Sequence, residues 1–138
     1  MQIEEKEIND ENQLIEFIKN GQNPFNYIRN EKDVDLISGA IAYINKSEDS
    51  FWDDSAETLL KSLIYYLLSK DKEIKSLKRC KEIVELELDE SCAREKIKDM
   101  VECDERSKVL FKTIEIATDK TFKEIFETLN NKLSEILG

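Results

Sequence analysis

Only one proline and three glycines punctuate the 138 residues of this chain. Hairpin turns draw heavily on these two residue types, which supply the fixed or positive φ that a tight reversal needs. So little of either leaves scant material for β-meanders and favours long helices joined by short polar links. The single proline, Pro24, opens the stretch PFNYIRNEKDV and follows Asn23. Its ring fixes its own φ and pushes Asn23 out of the α region, so helix cannot run through this point. Before it, Asp10 can cap a helix over about 11–20, with Leu14, Ile15, Phe17 and Ile18 on its apolar face and Gly21 as the C′ residue.

Beyond the proline the apolar residues recur with helical spacing. Asn30 is a cap with Glu31 and Asp33 in the first turn, where the helix dipole favours acids, and Val34, Ile37, Ile41 and Ile44 follow at steps of three and four. Asp49 or Ser50 caps a third helix over about 51–69. In its LLKSLIYYLL segment eight of ten residues are apolar or aromatic, so neighbours must cover more than one face. This is the expected central helix, with Phe51, Trp52, Ala56, Leu59, Leu60, Leu63, Ile64 and Leu67 inside.

Ser76 can then cap a helix bearing Leu77, Cys80, Ile83 and Val84, and Asp89 another bearing Ile97, Met100 and Val101. Asp104 opens one carrying Val109, Leu110, Phe111 and Ile114. The last, over about 118–137, aligns Phe122, Ile125, Phe126, Leu129, Leu133 and Ile136. IVELEL is too brief an alternation to argue for a strand. The expected fold is an all-α bundle of about seven helices, one compact domain packed around the helix at 51–69. A chain of this length buries about 70% of its unfolded surface and needs no metal or disulfide to hold a core.

The formal charge is −10, and residues 82–105 hold ten acids against three bases. A duplex-binding surface needs clustered Lys and Arg to displace counterions. With no such stripe, weak DNA binding is the most this composition supports. The acidic stretch reads first as a solvated helix face. Read as a partner surface, Glu82, Glu85, Glu87, Asp89, Glu90, Asp99 and Glu102 form a candidate face for a basic protein.

Cys80, Cys92 and Cys103 are odd in number and widely spaced, which gives neither a disulfide framework nor a zinc pattern and suits free thiols in a reducing cytosol. No N-terminal segment has the pattern of a signal peptide, and the apolar run at 63–68 is far short of a membrane span. The chain has no histidine, which removes the commonest general base and metal ligand. Lys120 and Thr121 have the ending of a phosphate loop, but IEIATDKT lacks the glycines that let backbone N–H groups wrap a phosphate. No calcium-loop pattern occurs, and the many carboxylate pairs form no convergent constellation. The expectation is a non-catalytic chain with no cofactor and no metal.

Residues 23–68 resemble a segment of the coupling proteins of type IV secretion systems, the conjugative TraG/TrwB-like family. The resemblance is carried by Asn23, Pro24, Phe25, Tyr27 and Ile28, then by Phe51, Trp52, Ala56, Glu57, Leu59, Leu60, Leu63, Ile64, Tyr66 and Leu67. A weaker similarity follows at 111–133, in FKTIEIATDKTFKEIFETLNNKL. The resemblance implies that residues 23–138 are the all-α domain inserted in a hexameric motor ATPase, with residues 1–22 an unmatched segment holding one helix. It further implies a cytoplasmic location and contact with a relaxase, relaxosome accessory proteins or a secreted substrate. The motor drives hexamer formation in that family, so the isolated domain is expected to be a monomer. The family's nucleotide-binding motifs, its DPKGE-like strand and its membrane anchor have no counterpart in these residues, and ATPase activity would stay with those parts. The motif residues read as structural, with Phe25 and Tyr27 plugging the bottom of the bundle. The alternative, suggested by the unmatched start with its methionine, is a free-standing acidic helical regulatory or scaffold protein that binds a basic partner.

Overall fold

Capping side chains set the helix boundaries in the computed structural model, which describes residues 10–89 and 93–138. Asp10 accepts from the backbone of Asn12 and Gln13 and starts α1 (Glu11–Lys19), which Gly21 terminates at φ +87°. Asn30 accepts from the Asp33 N–H and starts α2 (Glu31–Ala42). Asp49 does the same for α3 (Ser50–Leu68), and the Ser76 hydroxyl for α4 (Leu77–Asp89). After α5 (Ala93–Val101), Asp104 caps α6 (Glu105–Glu115) and Thr118 caps α7 (Asp119–Leu137). Each cap satisfies a backbone N–H that the helix leaves without a partner, a gain of about 1 kcal/mol. Among the described residues there are seven α-helices and no strand.

The α3 helix occupies the centre, as its composition requires. Leu59, Leu60, Leu63, Ile64 and Leu67 are all fully buried. It packs against α2, α6 and α7, while α4 lies along α7 and α1 along α2. Phe111, Phe122 and Phe126 fill the space between α6 and α7, with Phe122 edge-on to Phe111 at 6.0 Å. The crossing of α3 over α6 is made at two serines. Ser107 Oγ donates to the Ser62 carbonyl at 2.6 Å and Ser62 Oγ to the Ser107 carbonyl at 2.8 Å, both side chains fully buried. Small side chains let the two backbones approach, and the reciprocal bonds leave neither hydroxyl without a partner.

Four expectations need correction. Phe51 is 45% exposed and Trp52 only half-buried; the two rings stack edge to face at 4.9 Å near the start of α3. The inward positions of α3 run Asp53, Ala56, Leu60, Leu63 and Leu67, and Phe51 lies about 200° round the helix from the first of these. Val109 is likewise exposed, because the buried face of α6 runs Ser107, Phe111 and Ile114. Asp89 does not open the fifth helix but ends the fourth, where IVELEL has continued as helix. The link after Gln22 is more ordered than expected. Pro24–Tyr27 forms a 3₁₀ turn with Pro24 at its start, held by the Asn26 N–H to the Asn23 carbonyl at 3.2 Å. Proline suits a first helical position because its missing donor would be unpaired there anyway. Among the described residues no helix is long and apolar enough to cross a membrane.

Candidate functional site

The turn at Pro24 is fastened at both ends of a single side chain. Asn23 Oδ1 accepts from the Phe25 N–H at 3.0 Å, while its Nδ2 donates to the Lys75 carbonyl at 2.8 Å, in the α3–α4 connection. Pro24 and Phe25 are buried, Tyr27 and Ile28 are half-buried, and Tyr27 meets Phe17 of α1 edge-on at 5.3 Å. The turn therefore ties α1, α2 and the start of α4 together at one end of the bundle. Ala56 and Leu60 are fully buried in α3. Glu57 is half-buried, with Lys61 Nζ 3.8 Å from Oε2 and Tyr43 Oη 3.4 Å from Oε1. Tyr43 also hydrogen-bonds Asp54, and this bond, followed by burial, raises the pKa of the phenol. A Cβ on Gly39 would meet Glu57 Oε2 at 3.3 Å, so the absence of a side chain there gives the carboxylate room beside α2.

Sequence reasoning missed a buried ion pair. Asp53 and Lys132 are 2% and 5% exposed and meet at 2.9 Å between α3 and α7. Lys132 Nζ also donates to the Ile44 carbonyl at 2.8 Å, and Asp53 accepts from the Ser47 N–H at 2.9 Å and its hydroxyl at 3.0 Å. Burial pushes the Asp53 pKa up, but the bonds from Lys132 and Ser47 outweigh it and the carboxyl titrates below its ordinary value. The signal was present: Asp53 stands on the stripe that continues through Ala56 and Leu60, and Lys132 follows Phe122, Ile125 and Leu129 on the inward face of α7.

The acidic residues distribute over several surfaces. Glu82 pairs with Arg79 at 3.4 Å and Glu85 with Lys81 at 3.0 Å, both within α4. Asp89, Asp99 and Glu102 are exposed, and Glu90 lies outside the described residues, as does Cys92. Of the other two cysteines, Cys103 is exposed, while Cys80 is buried and its thiol is pushed up to about 12 by loss of water. Glu87 turns inward. It continues the buried stripe of Cys80, Ile83 and Val84 at helical spacing and is only 8% exposed.

Glu87 borders a cleft of about 550 Å³ between the end of α4 and the start of α7, lined also by Leu88, Asp89, Arg94, Asp119, Phe122 and Lys123. Its Oε1 is enclosed and has no hydrogen-bond partner among the described residues. Burial raises the Glu87 pKa, against the opposing pull of Arg94 and Lys123. Arg94 is already committed. Its guanidinium lies 4.2 Å over the Phe122 ring, pairs with Asp119 at 2.8 Å, and donates to the carbonyls of Glu115 and of Ala117, the latter at 3.0 Å. It thereby closes the carbonyl end of α6, where a cation suits the helix dipole.

No protein family, no curated protein and no solved structure matches the chain.

Proposed function

We propose that this chain is a non-catalytic helical interaction domain of the kind found in conjugative coupling proteins, engaging a relaxase–DNA complex or a secretion substrate in the cytoplasm. The reading is carried by the spacing of the NPF turn and the Phe51–Trp52 helix start, with Ala56, Glu57 and Leu60 following at the intervals the resemblance requires. An all-α bundle is compatible with it. The Asn23–Lys75 hydrogen bond fastens the NPF turn to the α3–α4 connection, within a bundle that already includes α1. The test is calorimetry of the folded chain against the relaxase and accessory proteins of a conjugative element from the same source. Saturable binding to one of them supports the proposal. Absence of heat with all of them, while circular dichroism shows the helices intact, sinks it.

A second reading, a free-standing acidic scaffold for a basic protein, is favoured by the ten acids against three bases in residues 82–105. The reading frame separates the two. Continuation into nucleotide-binding motifs supports the first, and a stop directly after Gly138 supports the second.

A further inference from the structure

We infer that the cleft between α4 and α7 is a receptor for one guanidinium or alkylammonium group, presented by an arginine or lysine side chain of a partner protein. The inference rests on the reading of the chain as an interaction module and names what that module grips.

The carboxyl of Glu87 supplies the anchor. Native proteins leave few enclosed polar atoms without a partner, and Glu87 Oε1 is one of them. Glu87 lines an open cleft, and because its Oε1 is enclosed, the incoming N–H donor meets that oxygen after a rotation of the Glu87 side chain toward the cleft. Arg94, the cation that pulls most on Glu87, is already spent on Asp119, the Phe122 ring and the carbonyls of Glu115 and Ala117.

The surroundings select a cation over an anion. The α4 helix ends at Asp89, so its final carbonyls, the negative end of the helix dipole, lie beside Glu87. The positive end of α7 is answered by its own Thr118 cap and by Asp119 in the first turn. With Arg94 paired to Asp119, the exposed Lys123 is the one remaining base among the described residues that line the cleft with Glu87 and Asp89. The half-buried Leu88 offers apolar wall for an alkyl stem, the usual companion of a buried charged head. A net charge of −10 draws basic proteins toward the chain. Burial raises the Glu87 pKa, and a guanidinium placed against the carboxyl would restore its ionised form.

The experiment is a titration of the ¹⁵N-labelled full chain with a peptide carrying one arginine between uncharged residues, with the same peptide carrying citrulline, and with spermidine. The arginine peptide should shift the amides of Glu87, Leu88, Phe122 and Lys123 and the citrulline peptide should leave them in place. Glu87→Gln should weaken the peptide about tenfold or more, while Glu82→Gln and Glu85→Gln on the same helix change it less than about twofold. Lys123→Gln, which removes the competing base, should tighten it, and this variant decides the matter if Glu87→Gln fails to fold. Equal losses for Glu82→Gln and Glu87→Gln would reduce the effect to diffuse charge and overturn the site. Stronger shifts with spermidine than with the peptide would overturn the assignment to a partner's side chain. A full-length partner that binds Glu87→Gln as well as the natural chain would remove the cleft and leave the interaction module standing.

Discussion

Asp53 shows how one side chain can hold three parts of the molecule together. Its carboxylate fastens the α2–α3 link through Ser47 and the α7 helix through Lys132, with both charges almost fully enclosed. Removing one partner of such a pair strands the other, and Lys132→Met should cost about 3–5 kcal/mol in urea unfolding. Replacing both, as Asp53→Leu with Lys132→Met, should recover part of that loss, because it removes the unpaired buried charge but leaves the Ser47 N–H and the Ile44 carbonyl without these partners. The pair also carries a pH signature. Since the folded-state pKa of Asp53 is depressed, its contribution is complete above the unfolded value and disappears as pH falls through the folded one. Asp53→Asn should therefore flatten the acid side of the stability profile below about pH 4, read from urea midpoints. Trp52 is half-buried, so Trp52→Ala should cost only about 1–3 kcal/mol instead of the larger loss of a fully enclosed indole. A loss as large as that of Lys132→Met would show that its ring is better packed than its exposure indicates.

The helices themselves were legible from their ends. Asp10, Asn30, Asp49, Ser76, Asp104 and Thr118 each act within three residues of their own position, so local sequence suffices to place them. The misjudged helix start and the misjudged core residue have separate causes. Asp89 is a good cap by residue type but stands at the end of a helix that already had a core face. Phe51 is a good core residue by type but falls off the inward stripe. The acidic composition of residues 82–105 argues for Glu87 on an outer face, whereas its spacing from Cys80, Ile83 and Val84 places it inside, and periodicity is right. How two helices meet is a matter between elements. At the α3–α6 crossing, Ser107→Leu should cost about 1–3 kcal/mol from overpacking, with a further loss from the broken bonds to Ser62. Differential scanning calorimetry of that variant checks this, and an unchanged melting temperature would show that the crossing has slack.

For the whole molecule, charge sets what can approach. With −10 overall and its four arginines each in an ion pair, as Arg79 with Glu73 and Arg29 with Asp33, the chain should bind duplex DNA no more tightly than about the micromolar range at physiological salt. Fluorescence anisotropy with a labelled duplex measures it, and nanomolar affinity would contradict the charge argument. The all-helical class, the number of helices and the central place of α3 could all be read along the chain, because they follow from turn chemistry, caps and the width of an apolar face. The Asp53–Lys132 pair, the Ser62–Ser107 crossing, the Asn23–Lys75 bond and the Glu87 cleft could not, since each joins residues or elements that only packing brings together. Propensity and periodicity act over a turn or two of chain, whereas the burial of a charge and the shape of a cleft depend on which distant surface arrives to cover them.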